Sequence, residues 1–310
     1  MKEVHLVHNP TAGDEEHDSE ALKSQIEAAG FSCKYSSTKD KPWKKQVLEK
    51  ADILAIAGGD GTVRKVVRQL LKKGNAAEIP LLGLLPVGTA NNFSKTLYTP
   101  AVYKRQDTQA LIRSWQQETI KRIDVGKVEN IPGTEFFLEG FGFGIFPYLM
   151  KEMKKREATY NSPEEELKGA LRKLHQILLS YEPRQCKLEI DGTDHSGKFY
   201  MVEVMNIRSI GPNMVLAPNA DPTDGELEVV LVPEAHMEKF SDFLLDNLTE
   251  SDKPYHFHIL RGKKISIRWD GTRFHADDRM LKLERQRAIN LEINKGVLPF
   301  LVPEHEPANG

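Results

Sequence analysis

The chain is poor in the features that mark export, membrane insertion or nucleic-acid binding. Only two of its 310 residues are cysteine. Cys33 and Cys186 lie far apart, with neither a disulfide framework nor metal-type spacing, and read as thiols of a reducing compartment. No run approaches the roughly 20 apolar residues that a membrane span needs. The opening Met1-Lys2-Glu3-Val4-His5-Leu6-Val7 is too short and too charged for a signal peptide. Formal charge is only −2, so the basic field of a nucleic-acid binder is missing. Internal repeats and low-complexity segments are absent as well. What is present is the apolar and charged composition of a globular protein, long enough for two domains. The expected setting is cytoplasmic, with any membrane contact peripheral.

Two textures divide the chain. Up to residue 122, strands and helices alternate. Val4–Val7, Ser32–Ser36, Ile53–Ala57 and Leu81–Leu85 read as strands. Ser19–Ala29, Lys44–Lys50, Val63–Lys73 and Asp107–Gln117 read as helices between or after them. This rhythm predicts an α/β domain with a parallel sheet covered on both faces, whose ligands lie beyond the carboxyl ends of the strands. From residue 123 to about 295 the chain becomes mostly β. Ile123–Val128, Glu135–Phe141, Cys186–Ile190, Phe199–Asn206, Leu227–Val232, Lys264–Trp269 and Ile289–Ile293 are candidate strands, interrupted by one charged helix at Pro163–Ser180. Short strands with turn residues between them predict an antiparallel β-sandwich. The apolar tail from Val297 to Pro303 suits a last strand of either domain, so residues 296–310 are candidates to return to the first.

Ile53–Ala57 ends in Gly58-Gly59-Asp60-Gly61-Thr62, and a helical pattern follows. Glycines let backbone N–H groups approach an anion, and a new helix points unpaired N–H groups the same way. A carboxylate in such a loop repels phosphate unless Mg²⁺ or a proton lies between them, so Asp60 points to nucleotide chemistry. The first strand ends in Asn9-Pro10-Thr11-Ala12-Gly13, where Thr11 offers a hydroxyl and an N–H. The Leu81 strand ends in Pro86-Val87-Gly88-Thr89-Ala90-Asn91-Asn92, again small and polar. Each loop follows a parallel strand, so the topology gathers all three on one sheet edge.

These three segments resemble the N-terminal signatures of the diacylglycerol kinase catalytic domain, a family that includes bacterial lipid kinases, sphingosine kinases and ceramide kinases. Ile123-Asp124-Val125-Gly126, Gly140-Phe141-Gly142-Phe143-Gly144, and Asn206 with the Ala217–Leu227 block continue the resemblance. It implies a nucleotide-binding α/β domain followed by a β-sandwich, and transfer of the γ-phosphoryl of ATP to a lipid hydroxyl with Mg²⁺. By the same resemblance Asn9, Pro10, Thr11, Gly13, Thr38, Gly58, Gly59, Asp60, Gly61, Thr62, Gly88, Thr89 and Asn91 would bind nucleotide. Asp60 would act near the transferred phosphoryl, and Asp221, Asp224 and Glu226 would match a metal position. Two carboxylates three apart in a turn suit a hard cation, with a tight Asp-Gly turn before a strand as the alternative. Asp124 would join this network through water, and reads equally as a simple strand-end aspartate.

The chain departs from the family at the proton acceptor. Asp-Gly-Glu is usual on a late strand; here His275-Ala276-Asp277-Asp278-Arg279 stands in its place. Arginine stays protonated and cannot be that base. Asp277 or Asp278 is the candidate base, with Glu284 reaching in after a register shift as another. Arg64 stands where the family often has Asn. The other Asp-Gly pairs, Asp191-Gly192 and Asp270-Gly271, read as hairpin turns. A lipid at a membrane surface is the expected partner. Phe141, Phe143, Ile145, Phe146, Tyr148, Leu149 and Met150, followed by Lys151, Lys154, Lys155 and Arg156, offer an apolar run beside a basic cluster, as a bilayer contact or as a core strand leading to a charged helix. A homodimer stays open. The alternatives are a kinase of a soluble acceptor such as NAD, and a nucleotide-binding protein without catalysis.

Overall fold

The apolar runs of the first third form parallel strands, and their helices alternate with them as the rhythm predicts. The computed structural model describes residues 1–12, 18–72, 78–105, 107–155, 160, 162–248, 257–284 and 286–304. It divides into two units, one of residues up to Ile123 with the segment from Lys295, the other Asp124–Asn294.

The first unit contains β1 (Glu3–His8), α1 (Ser19–Ala28), β2 (Ser32–Ser37), α2 (Trp43–Gln46), β3 (Ile53–Gly58), α3 (Asp60–Lys72), β4 (Leu81–Pro86), α4 (Asn92–Leu97), α5 (Pro100–Arg105) and α6 (Thr108–Ser114). Strand β1 lies between β2 and β3, and β3 pairs with β4, all parallel. Strand β3 is buried at every residue, as its unbroken apolar run requires in a sheet covered on both faces. Asp18 caps α1 and Asp107 caps α6 through their carboxylates. Helix α2 is shorter than the predicted Lys44–Lys50, with turns from Val47 on.

The second unit begins within β5 (Ile120–Glu129). It continues with β6 (Phe136–Phe137), β7 (Gly140–Gly144), α7 (Ile145–Lys154), α8 (Pro163–Ser180), β8 (Arg184–Ile190), β9 (Thr193–Asp194), β10 (Gly197–Met205), β11 (Ser209–Ile210) and β12 (Met214–Val215). Then come β13 (Leu227–Pro233), α9 (Met237–Asp246), β14 (His258–Gly262), β15 (Lys264–Trp269), β16 (Arg273–Ala276), β17 (Arg279–Lys282) and β18 (Ile289–Leu301). All its strand pairs with a stated register are antiparallel. One core, with Phe141, Phe143, Val202, Val204, Trp269 and Phe274, fills the sandwich; a second packs α7, α8 and α9 against Met201, Met205 and Val230. The expected parallel α/β sheet followed by an antiparallel sandwich is therefore what the chain forms.

Strand β18 serves both units: Ile289–Glu292 pairs with β15, and Phe300 pairs in parallel with Leu82 of β4. In the first unit Phe300 also packs on Phe93, ring centroids 5.2 Å apart. The apolar tail is thus the continuation of the Ile289 strand. Asp191 (φ 47°) and Gly192 (φ 83°) form the predicted two-residue hairpin between β8 and β9.

A buried histidine gives the first unit an acid sensitivity. His5 is 1 % exposed; its Nε2 lies 2.8 Å from Ser36 Oγ, whose hydroxyl donates to Gln46 Oε1. Burial, reinforced by the Lys34 charge, pushes its pKa down to about 4. The folded ring stays neutral where the unfolded ring, with pKa near 6.5, takes up a proton. Stability from this group is complete above the unfolded value and falls as pH drops from there towards 4, by about 2–3 kcal/mol. Urea midpoints of the parent should decline across this window, and His5→Gln should flatten the decline; equal slopes in both would remove His5 as the cause.

Candidate functional site

Asn9 knits the loops after β1, β2 and β3. Its Nδ2 donates to Thr62 Oγ1 at 3.2 Å. Its Oδ1 accepts the hydroxyls of Thr11 at 3.0 Å and Thr38 at 3.3 Å, and the Thr11 N–H at 3.4 Å. The backbone N–H of Asn9 bonds Ala57 O at 2.9 Å, so the hub is fixed to the end of β3. One amide therefore aligns three threonine hydroxyls at the carboxyl edge of the sheet. A Cβ on Gly58 would lie 2.5 Å from Thr62 Oγ1, so this junction admits only glycine.

The β3 and β4 loops meet backbone to backbone. A Cβ on Gly88 would fall on the Gly59 Cα and lie 2.8 Å from its nitrogen, neither of which can yield as a flexible side chain could. Asn91, at φ 52°, holds the β4 loop closed: its Oδ1 accepts the Gly88 N–H at 3.1 Å, and its Nδ2 donates to the carbonyls of Gly88 and Pro86. Asp60 joins the same arrangement. Its carboxylate accepts the N–H groups of Asn92 and Phe93, each at 3.0 Å, and so caps α4 from the neighbouring loop. Asp60 is thus first a positioning residue that ties the β3 loop to the β4 loop.

The other expected nucleotide residues lie in the same loops. Pro10 occupies the turn after β1, Gly61 the first turn of α3, and Thr89 the exposed part of the β4 loop. Gly13 lies outside the described residues. Arg64 is buried rather than spread over the surface of α3.

In the second unit Asp277 holds a loop in place. It stands at φ 52° in the two-residue turn between β16 and β17, where Ala276 pairs with Arg279. Its Oδ1 accepts three backbone N–H groups: Leu138 at 2.9 Å, Glu139 at 2.8 Å and Gly140 at 3.4 Å. Its own N–H donates to Gly140 O at 2.8 Å. A buried carboxylate whose oxygen accepts three backbone donors anchors a loop. Asp278, at the same hairpin tip, is exposed, and Arg279 donates to Gly133 O at 3.1 Å. Glu284 is exposed beyond β17.

A Glu–His pair that sequence reasoning missed lies under this hairpin. Glu203 on β10 and His275 on β16 flank Gly142 of β7 on opposite sides, both in register with it. They meet over the glycine, with His275 Nε2 2.7 Å from Glu203 Oε1, at 0 % and 1 % exposure for Glu203 and His275. A Cβ at Gly142 would overlap the Glu203 carboxylate. This space accounts for the middle glycine of Gly140-Phe141-Gly142-Phe143-Gly144. Burial raises the Glu203 pKa, while the neighbouring carboxylate outweighs burial and raises that of His275.

The residues of the metal reading, Asp221, Asp224 and Glu226, have protein partners in this structure. Asp221 Oδ1 accepts the Thr223 N–H at 3.0 Å and hydroxyl at 2.7 Å. Asp224 and Glu226 both pair with Arg261 Nη2, the latter at 3.1 Å, and Glu228 Oε1 lies 3.4 Å from Arg261 Nε. Burial pushes the Glu228 carboxyl up to about 7, against the pull of Arg261. Among the described residues no group of three His, Cys, Asp or Glu is arranged to hold a metal. Asp124 supports this loop directly: its Oδ2 accepts the Gly225 N–H at 2.7 Å. Asn206 Nδ2 donates to the carbonyls of Asp124 and Leu138, both at 3.0 Å.

The apolar run proposed for bilayer contact belongs to the core. Phe141, Phe143, Ile145, Phe146 and Leu149 are all buried, on β7 and α7. Of the lysines that follow, Lys154 donates to Asp278 O at 3.3 Å and Lys155 pairs with Glu152 at 2.8 Å; Arg156 lies outside the described residues. No helix among the described residues is long and apolar enough to cross a membrane.

A parallel sheet with a glycine-rich strand–helix junction, followed by an antiparallel sandwich, defines a two-unit class of α/β-then-β protein. Residues 3–128 match the diacylglycerol kinase catalytic domain, and residues 154–283 match the YegS C-terminal NAD kinase beta sandwich-like domain. The chain belongs to the diacylglycerol kinase catalytic-domain family. It is 28 % identical over 254 residues to a diacylglycerol kinase of Bacillus subtilis (strain 168), an alignment covering 77 % of each chain. A diacylglycerol kinase of Staphylococcus saprophyticus is 23 % identical over 275 residues, 86 % of this chain and 85 % of that protein. The crystal structure of a diacylglycerol kinase from Bacillus anthracis str. Sterne superposes with a TM-score of 0.69 at 22 % identity, covering 99 % of this chain and 98 % of that one. Membership of a kinase family supports phosphotransferase activity and implies the use of ATP.

Proposed function

We propose that the protein is a lipid kinase that transfers the γ-phosphoryl group of ATP to a hydroxyl of a diacylglycerol or sphingoid lipid. The observation that carries this reading is the loop cluster of the first unit, where Asn9 aligns Thr11, Thr38 and Thr62 and the Gly59–Gly88 contact binds the second loop to the third. Phosphoryl transfer asks for alignment and charge stabilisation more than covalent catalysis, and a rigid polar loop edge supplies alignment. The acceptor oxygen forms a bond to the γ-phosphorus as the bond to the ADP oxygen breaks. The hydroxyl proton passes to a carboxylate, and Asp278, exposed at the hairpin tip, is the residue assigned to it. Mg²⁺ bound with the nucleotide would neutralise phosphate charge, and Asp60 is the residue assigned to hold it.

Labelled ATP supplied with diacylglycerol, sphingosine or ceramide in mixed micelles, and separately with NAD, tests the reading. Labelled lipid is the expected product. Label on NAD alone would make the protein a kinase of a soluble acceptor. The arginine at position 279 favours one further reading, nucleotide binding without turnover. ATP binding with no labelled acceptor, and turnover gained by Arg279→Glu, would establish that reading instead.

A further inference from the structure

Arg261 stands opposite Glu228 in the β13–β14 register, and its guanidinium spans the three acidic side chains that alternate along Asp224, Glu226 and Glu228. We propose that this guanidinium is the permanent counter-cation of the Asp221–Glu228 loop, so that the loop of this chain is built to hold its shape without a divalent metal. The proposal is independent of the acceptor and of whether the protein transfers phosphate at all.

The donor set decides between arginine and metal. A hard divalent cation needs several oxygens converging on one point, about 2.0–2.1 Å away for Mg²⁺ and 2.3–2.6 Å for Ca²⁺. Here the acidic groups are distributed over a planar fork, Asp224 and Glu226 on Nη2 and Glu228 on Nε. Asp221 turns inward to Thr223, and the second oxygen function of the turn is spent as well, since Asp224 Oδ1 accepts the Glu226 N–H at 2.9 Å. The backbone of the turn is already closed. Gly225, at φ 84°, donates to the buried Asp124 carboxylate, and Asp124 N–H donates to Pro222 O at 2.7 Å. Arginine keeps its charge at any working pH and is more weakly hydrated than a lysine ammonium. It therefore offsets part of the cluster's charge without the dehydration that a metal ion must undergo.

Removing the guanidinium would leave three neighbouring carboxyl groups without this partner, one of them buried. That is the condition under which a divalent cation would find a place. The test is thermal unfolding of the nucleotide-free protein in EDTA and in millimolar Mg²⁺ or Ca²⁺, together with terbium luminescence as a direct probe of metal capture. The parent should melt at the same temperature in all three solutions. Arg261→Met should melt lower than the parent in EDTA, recover part of that loss in Ca²⁺ or Mg²⁺, and bind terbium at least tenfold more tightly than the parent. A rise in the parent melting temperature with Mg²⁺ that Asp224→Asn abolishes would overturn the proposal. So would an Arg261→Met protein whose melting temperature and terbium affinity are those of the parent. The arm comparing the parent with Asp224→Asn decides the question even if Arg261→Met fails to fold.

Discussion

Asp277→Ala is expected to destabilise the antiparallel unit by about 3–4 kcal/mol, because it strands three buried backbone donors at once. The N–H groups of Leu138, Glu139 and Gly140 all converge on one carboxylate oxygen, and no water-exposed alternative replaces it for a loop buried at these positions. Alanine also adds the strain of a left-handed backbone at φ 52°, which asparagine tolerates far better. Asp277→Asn keeps one acceptor and the turn but loses the charge, so its cost should be about 1–2 kcal/mol. Hydrogen exchange at the Leu138–Gly140 amides reads the effect locally, with protection falling in the order parent, Asn, Ala. The same pair of variants separates an anchor from a base. A base would leave protection unchanged in Asp277→Asn while abolishing phosphoryl transfer, and that outcome would defeat the assignment made here.

The second large effect is expected at Asp60, and it has two parts. In Asp60→Asn one carboxylate oxygen becomes an NH₂ group, which cannot accept from both Asn92 and Phe93. The first unit should lose about 1–2 kcal/mol through the weakened cap of α4. If the proposed transfer is right, turnover should fall by roughly 10²-fold or more, since the carboxylate assigned to the nucleotide's Mg²⁺ loses its charge. Measuring ATP affinity beside turnover distinguishes the two. Weaker binding in proportion to lost turnover would mark Asp60 as a positioning residue alone. Unchanged turnover would remove the Gly58–Thr62 loop from the reaction.

The first unit was legible because its signals are local. Ile53–Ala57 is an unbroken apolar run ending in glycines, and burial of the whole strand on two faces follows from that run. The loop residues declared themselves in the same way, and Asn9, already a candidate, proved to be the hub. Elsewhere the signals were diluted or distant. Strands β16 and β17 are rich in charge over Arg273–Lys282, and they enter the sheet through the pairing of β16 with β7. Helix α9 begins at His236 with no side-chain cap, so nothing in the sequence marks its start. Gly296 and Pro299 read as breakers within what is one continuous strand. The functional details hardest to foresee are those made by partners far apart in sequence. Asp224 and Arg261 are 37 positions apart, and Glu203 and His275 are 72 apart. No spacing rule links such pairs until the strands that carry them are in register.

Strand β18 bears on the order in which the chain can be completed. The outer edge of β4 receives its neighbour at Phe300, a residue translated after the whole antiparallel unit. A nascent chain that has emerged only as far as residue 123 therefore holds four parallel strands and an open, apolar Leu81–Pro86 edge, the kind of edge that invites pairing with other chains. The unit made first by the ribosome is the one closed last, and its sheet stays unfinished until the antiparallel unit has been made.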